Sequence, residues 1–175
     1  MAKDFLNVIE RALMMGVSDG INTLTEDGED IYVYGEFPEA EELKFPAVVV
    51  QQTGSGFEEQ MSGQNMSFGS SSGTGEIYGI SYTFHVICEK ETTLQVVSGA
   101  SSASDVYYKQ RRLLNWLMLN VANQVADLNW DVYEEENLEI LERHLNSWSN
   151  VGYISELQWY GASADFLITF KNFRA

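Results

Sequence analysis

The side chains best suited to covalent or acid–base chemistry in this sequence are one cysteine, Cys88, and two histidines, His85 and His144. A nucleophilic mechanism needs a nucleophile beside an oriented base, and none of the three residues lies in a local motif of that kind. Cys88 continues an alternating apolar pattern, so we interpret it as a small buried hydrophobe. We interpret both histidines as ordinary surface or sheet residues. The chain is therefore predicted not to be an enzyme, with a hydrolase that uses Cys88 or His85 as the alternative.

The acidic runs and the glycine-rich segments do not match ligand-binding motifs. Glu134, Glu135 and Glu136 are consecutive, and neighbours in a run point in different directions, so we interpret them as a solvated charge run. The sequence has no Asp-x-Asp-x-Asp-Gly spacing that would indicate a calcium loop. The segment from Gly73 to Gly79 precedes a predicted strand, whereas a dinucleotide fingerprint follows a strand and opens a helix. We predict no catalytic residue, no metal and no cofactor.

The composition is that of an acidic chain that folds. Hydrophobic residues make up 45% of the 175 residues, and 26 acidic residues against 10 basic ones give a net charge of -16. Such a surface repels nucleic acid phosphates and anionic membranes. A single cysteine permits no intramolecular disulfide, and residues 1–16 are not typical of a signal peptide or a membrane span. We therefore expect a soluble protein of a reducing cytoplasm that does not bind DNA sequence-specifically.

A basic cluster opens the longest predicted helix, which spans residues 105 to about 125. Its members are Lys109, Arg111 and Arg112. They form either a solvated helix face or a contact with DNA or an acidic neighbour, and the acidic composition favours a protein partner. At 100° per residue, the apolar core stripe of the helix comprises Val106, Leu113, Leu114, Leu117, Val121 and Val125.

Two large apolar residues, Trp116 and Leu119, fall outside that stripe, on the side of the helix that carries Arg112. Large apolar groups on a polar face are typical of a partner surface.

The remaining elements follow from hydrophobic periodicity. Asp4 can cap an N-terminal helix whose apolar residues recur at helical spacing, and Gly16 and Gly20 are predicted to mark its end. The β-branched run Ala47–Val50 indicates a central strand covered on both faces. Strands are predicted at 31–34, 46–53, 78–88, 138–141, 153–159 and 166–170, with Gly161 turning the last two into an antiparallel hairpin.

Residues 54–75 differ from the segments around them, because they hold many Gly and Ser and only scattered apolar residues, namely Phe57, Met61, Met66 and Phe68. Compact domains rarely keep so long a segment without a use. It is predicted to be either a long loop or a hairpin arm that leaves the body of the protein.

The order of elements predicts an α+β fold over a single domain, residues 1–175. A mostly antiparallel mixed sheet would be packed by the N-terminal helix and by one long central helix, with an extended loop or hairpin arm.

Several segments resemble a family of bacteriophage neck proteins of the tail-terminator, or tail-completion, type. The resemblance spans most of the chain and is one of layout and local sequence. It is carried by Phe45–Val50 with Gln52–Phe57, by Gly75–Ile80, by Tyr108–Leu114 and by Phe166–Phe173.

The resemblance implies a hexameric ring, a homo-oligomer that sits on the last ring of the tail tube and stops tube polymerisation. The ring would join the tail to the head connector and let DNA pass through its central hole, where acidic residues repel DNA within a Debye length of about 8 Å. Implied partners are the tail-tube protein, a head-closure or connector protein and the tail sheath, in a virion assembled in the host cytoplasm, with no membrane. The candidate subunit-interface residues are Phe57, Met61, Met66, Phe68, Lys109, Arg111, Arg112, Trp116 and Leu119.

Two other readings remain open at this point. One is another neck component, such as a head-closure (stopper) protein, an adaptor or a tail-tube-related subunit. The other is a small-ligand binding domain that uses the aromatic face of the sheet, which would be a monomer with a pocket.

Overall fold

The computed structural model describes residues 5–25, 31–57, 64–68, 71–96, 106–130 and 138–174, within which the chain forms two helices and nine strands. Asp4, Met61 and the acidic run 134–136, on which predictions were made, lie outside these ranges. The elements are α1 (Phe5–Asn22), β1 (Tyr32–Tyr34), β2 (Ala47–Phe57), β3 (Gln64–Phe68), β4 (Ser71–Glu89), β5 (Thr93–Val96), β6 (Val106–Lys109), α2 (Gln110–Asp127), β7 (Leu138–Trp148), β8 (Gly152–Ile154) and β9 (Trp159–Arg174).

The main sheet has the strand order β1-β2-β4-β9-β7, with β3 paired to β4 and β8 paired to β9. Strands β1 and β2 are parallel, and the other pairs in this sheet are antiparallel. Strands β5 and β6 form a separate antiparallel hairpin. The predicted α+β class with a mixed, mostly antiparallel sheet is confirmed.

The centre of the sheet is β4, not the valine-rich strand that the sequence favoured. Strand β2 is second from the edge, and its outer neighbour β1 pairs with only Ala47, Val48 and Val49. The valine run is nevertheless fully buried. Helix α1 packs on one face of this part of the sheet, and on the other face Phe37 lies 5.0 Å from His85, the register partner of Val49. The continuous apolar run of β2 therefore indicated a strand that is covered on both faces, and not the central strand of the sheet.

Helix α1 runs through both glycines that were predicted to end it. A Cβ on Gly16 would overlap Leu128, and one on Gly20 would overlap the amide of Gln124. The two glycines thus leave room for the side chains of Gln124, near the end of α2, and of Leu128, which follows it.

Helix α2 begins at Gln110, five residues later than predicted. Residues Val106–Lys109 instead form β6, which pairs with β5. A β-branched residue and two tyrosines favour a strand at this position, and the φ of 52° at Gln110 marks the change into the helix. The predicted core stripe of α2 is confirmed at Leu113, Leu114, Leu117, Val121 and Val125, which are all buried.

The strand predicted at 153–159 is two strands separated by a turn. Strand β8 ends at Ile154, the turn covers 155–158, and Gly161 lies inside β9 rather than at the hairpin turn. Gln158, with a φ of 53°, closes this turn.

The described residues of the glycine- and serine-rich segment, which are 54–57, 64–68 and 71–75, lie in strands β2, β3 and β4. They fit the predicted hairpin arm better than a long loop, and we call this segment the hairpin arm. Strand β3 pairs with the first residues of β4 from Gln64↔Gly75 to Phe68↔Ser71. Strand β2 pairs with β4 as far as Phe57↔Tyr78, and β9 pairs with the other side of β4, so β2 and β3 lie on the same side of β4.

Alternation along β4 gives the sheet two different faces. On the helix side, Tyr82, Phe84, Val86 and Cys88 are fully buried in the core. Helix α1 covers the β1–β2 side of this face, and α2 covers β4, β9 and β7. The opposite face, which we call the outer face, carries Thr83 and His85 and leads to the candidate site.

Candidate assembly interface

Cys88 and the two histidines do not converge on a common site. Cys88 is fully buried on the helix side, where its Sγ lies 4.0 Å from the Gln110 carbonyl oxygen, and burial raises the pKa of this thiol to about 11. His85 lies on the outer face, with its Nε2 3.3 Å from Gln51 Oε1, and burial lowers the pKa of its imidazole. His144 is exposed on β7. The thiol is thus in its protonated form at neutral pH and separated from His85 by the sheet.

In the part of the chain that the structure describes, no group of three or more His, Cys, Asp or Glu side chains is arranged to hold a metal ion. Neither α1 nor α2 is both long enough and apolar enough to cross a membrane.

The predicted basic cluster is exposed at the junction of β6 and α2, and the structure divides it between two surroundings. The Arg112 guanidinium lies 4.5 Å from the centroid of the Tyr108 ring, which in turn lies 6.2 Å from the ring of Trp116. Arg111 points into a groove between α2 and the end of β7. Lys109 is exposed at the last position of β6.

Trp116 is therefore not the exposed apolar group that the helical projection predicted. Its side chain is half-buried and packs against the core beside Tyr108. The β6 strand, which the sequence prediction had merged into the helix, supplies the tyrosine that covers it. Leu119, by contrast, is 50% exposed, as predicted.

The groove beside Leu119 is the structural centre of the candidate interface. It encloses about 350 Å³, and its walls include Arg111, Asn115 and Leu119 from α2 and Trp148 from β7. Trp148 is 54% exposed. A groove with two large exposed apolar side chains and an arginine has the composition of a protein-binding surface, since tryptophan and arginine dominate interface energetics.

Trp148 was missed from the sequence because the predicted strand ended at Leu141, seven residues early. The residue does carry a signal, since it is a tryptophan within the polar run Asn146–Asn150. A large aromatic in a polar segment is typical of an interaction surface.

Strand β7 forms one edge of the main sheet. It pairs with β9 along its length, with bulges at Leu141 and Asn146, and among the described residues no strand pairs with its other side. Leu141 and Leu145 on this strand are also exposed. An exposed edge strand with apolar side chains can pair or pack with another chain, so it adds to the surface around the groove.

The outer face carries a second concave surface, a pocket of about 470 Å³ lined mainly by aromatic and apolar residues. Phe37 and His85 form one side of it, and Tyr153, Leu157 and Trp159 belong to the β8–β9 side. Phe37, Tyr153 and Leu157 are each about half exposed. The pocket lies on the face opposite the aromatic side of β4 that the sequence suggested for ligand binding, because Tyr82 and Phe84 on that side are fully buried in the core.

The four candidate residues of the arm are placed only in part. Phe57 ends β2, and Met66 and Phe68 lie in β3, but only the backbone of these three residues is described. Met61 lies outside the described ranges.

No protein-family model matches this chain, and the search of curated proteins likewise found no match.

Proposed function

We propose that this protein is a structural subunit that assembles into a ring in the neck of a bacteriophage, as a tail terminator. The observation that carries the proposal is the groove between α2 and β7, where Leu119 and Trp148 are exposed beside Arg111 and next to an open strand edge. Exposed apolar residues of this size, rimmed by a cation, are typical of a surface that a protein partner covers.

Self-assembly is the simplest source of that partner. A ring repeats one heterologous contact until it closes, so each copy needs two different surfaces, and the groove supplies one of them. The resemblance of four segments of the sequence to tail-terminator proteins supports the more specific proposal of a hexamer on the tail tube, facing a head-closure or connector protein.

The hairpin arm supplies a second element suited to assembly. Strand β3 pairs with β4 alone among the described strands, at the end of β4 farthest from Glu89. Such an extension can reach a neighbouring subunit, the tube or the sheath without disturbing the core. We propose that it contacts the tail tube.

The net charge of -16 per chain fits a ring through which DNA passes. Acidic residues on the channel wall repel DNA phosphates over about one Debye length, which keeps the DNA from binding there. The charge thus favours passage of DNA over its recognition. In this proposal the protein acts in the virion and has no enzymatic activity.

Assembly is tested by light scattering coupled to size-exclusion chromatography and by negative-stain microscopy of the purified chain. We expect six-fold rings, and we expect Trp148→Glu and Leu119→Glu to leave folded monomers. Met15→Glu is the matched control, because Met15 is similarly exposed on the other helix. A wild-type chain that stays monomeric at every concentration would overturn the proposal.

The position in the neck is tested by adding the protein to polymerising tail-tube subunits. A terminator shortens the tubes and is found at their ends, whereas a stopper or adaptor binds the portal side of the neck. Deletion of residues 60–72 should abolish capping of the tubes but preserve the ring. Capping that persists after this deletion would exclude the proposed role of the arm.

The pocket on the outer face favours a second candidate function, binding of a small apolar or aromatic ligand. Its volume of about 470 Å³ falls within the range of small-molecule sites. This function predicts a monomer whose Trp159 fluorescence changes on binding of an aromatic probe such as anilinonaphthalene sulfonate. Rings without a fluorescence change would favour assembly, and monomers with a saturable change would favour ligand binding.

A further inference from the structure

The connection between β1 and β2 forms a second surface that could contact the groove of another copy. Residues 35–44 connect β1 to β2 and carry four acids with one lysine. We call this segment the acidic loop, and its exposed acids are Glu36, Glu39, Glu41 and Glu42. We propose that the acidic loop of one copy docks on the groove between α2 and β7 of the next copy. This inference rests on the proposed self-assembly and names its interface.

The two surfaces have opposite charge. Arg111 lines the groove, and Lys109 and Arg112 are exposed close to it in the sequence. Within the described residues, none of these cations and none of the loop acids forms an ion pair. In a chain with 26 acids and 10 bases, Arg111 gives the groove a charge that suits an acidic segment of another copy.

The acidic loop also supplies an apolar side chain for the apolar part of the groove. Phe37 packs one side of its ring on His85 and leaves 51% of its surface exposed. Leu119 and Trp148 are exposed to a similar extent. Contact between Phe37 of one copy and these two residues of the next would bury an apolar centre with charged pairs around it, which is the usual anatomy of an interface.

The loop is already held in one shape in the single chain. The Lys44 backbone N–H donates to the Tyr34 hydroxyl at 3.1 Å, and that hydroxyl lies 3.4 Å from the Glu42 carbonyl oxygen. Backbone bonds from the N–H groups of Glu42 and Leu43 to the Glu39 carbonyl oxygen close a turn within it. Because the loop is ordered before it binds, little conformational entropy is lost on docking.

The acidic loop begins at one edge of the sheet and crosses its outer face. Strand registry places Tyr34, Val49, His85 and Ser163 in one row. The loop leaves this row after Tyr34 at the β1 edge, and its Phe37 reaches His85 in β4. The groove lies at the β7 edge, between that strand and α2.

The loop and the groove are two different surfaces of one chain, so a contact between them is heterologous. A heterologous contact that is repeated from copy to copy forms a ring when the rotation between copies closes. The loop-to-groove contact is therefore of the type that a ring requires.

The decisive experiment combines two variants of the full chain that each lose a different surface. The loop variant carries Glu39→Gln, Glu41→Gln and Glu42→Gln, and the groove variant carries Trp148→Glu. Each variant alone should be monomeric, with association weakened at least about tenfold. Their mixture should form 1:1 dimers and nothing larger, because only one intact loop and one intact groove can meet.

The control for the loop variant replaces three exposed acids at the other end of β4 and β9, as Glu89→Gln, Glu91→Gln and Glu156→Gln. It has the same change in charge and should form rings like the wild type. Circular dichroism and the melting temperature establish that every variant is folded. High salt should also weaken the wild-type contact, since the Debye length falls to about 3 Å at 1 M.

The two proposals fail in different ways. If the wild type forms rings and the loop variant forms them equally well, the loop-to-groove contact is wrong and the proposed assembly stands. If the wild type does not assemble at all, the proposed function itself is overturned. Mixtures in which the variants remain separate monomers, while the wild type forms rings, would also exclude this contact.

Discussion

The helix-covered face and the outer face of the central sheet are built from alternate residues of the same strands, yet they differ in what contacts them. On the helix side, Phe84 packs edge-on to Phe166 with ring centroids 5.3 Å apart, and both rings are buried. On the outer face, Thr83 and Asp165 form a polar pair across the adjacent inner strands β4 and β9. Stability is therefore concentrated on one face, while the other face and the rims remain available for partners.

The largest change in stability is expected from one of two matched truncations, one on each face of the sheet. Phe84→Ala should lower the free energy of unfolding by about 3–5 kcal/mol, because it leaves a cavity in the core. Phe37→Ala, on the outer face and 51% exposed, should change it by about 0.5 kcal/mol or less. Urea unfolding of dilute protein measures both. A Phe84→Ala cost as small as that of Phe37→Ala would contradict the assignment of the core to the helix side.

Reactivity of Cys88 tests whether the helix side is closed to solvent. Because burial raises the pKa of this thiol to about 11, the native protein at pH 8 should react with a disulfide reagent at least about 100-fold more slowly than the urea-unfolded chain. Rapid labelling of the native chain would show that α2 opens readily from the sheet.

The same pKa shift predicts a pH dependence of stability. The folded state holds the Cys88 proton more tightly than the unfolded chain, whose thiol pKa is about 8.5. The stability from this group is complete below that value and falls as the pH rises towards about 11. The loss should be smaller in Cys88→Ala, and urea titrations at pH 7, 9 and 10 measure it.

Loss of the polar pair on the outer face should lower the free energy of unfolding less than a truncation in the core, but more than a change at the exposed edges of the sheet. The Thr83 hydroxyl donates to Asp165 Oδ1 at 2.6 Å, and the Ser147 hydroxyl donates to Asp165 Oδ2 at 2.9 Å. Asp165→Ala should cost about 1–3 kcal/mol, because Thr83 is 7% exposed and loses its shorter hydrogen bond, keeping only the contact of its hydroxyl with Thr53 Oγ1 at 3.3 Å. Asp165→Asn, which keeps one acceptor oxygen, should cost less. Equal stability of the alanine variant and the wild type would contradict this role.

The smallest change in stability is expected at Glu10, where α1 lies beside the acidic loop. Burial, and then the charge of Glu36, raise the pKa of the Glu10 carboxyl. A raised pKa in the folded state means that the charged form is disfavoured, so stability is lost as the pH rises through this pKa. Glu10→Gln should therefore stabilise the protein at pH 7 by a few tenths of a kcal/mol, since the site is partly open to solvent. Thermal melts at pH 7 and pH 3.5 should show the gain only at pH 7.

The sequence predicted most of the elements because their periodicity is local. The alternation along Tyr78–Cys88 placed β4 and its buried face, and the helical stripe from Leu113 to Val125 placed the core side of α2. The predicted boundaries of elements were wrong where the local pattern favoured one structure but pairing with a strand distant in the sequence imposed another. Residues Val106–Lys109 continue a helical apolar pattern, but pairing with β5 makes them a strand.

The candidate interface shows the same contrast between features that follow from a local pattern and features that depend on distant residues. The exposure of Leu119 was predicted correctly, because it follows from the angle of this residue on the helix. Trp116 was misplaced, since Tyr108 from a neighbouring strand covers it. Trp148 was missed, because its importance depends on lying across a groove from Arg111, far away in the sequence.

The sequence by itself determined the α+β class, the acidic character and the buried stripes, since these depend on composition and on periodicities within single elements. Only the tertiary structure decided that β4 is the centre of the sheet, that two glycines serve helix packing and that Leu119 faces Trp148. Strand order and long-range register bring residues together from separate elements. A linear pattern does not encode those distances, because they depend on which apolar faces pack against each other when the chain folds.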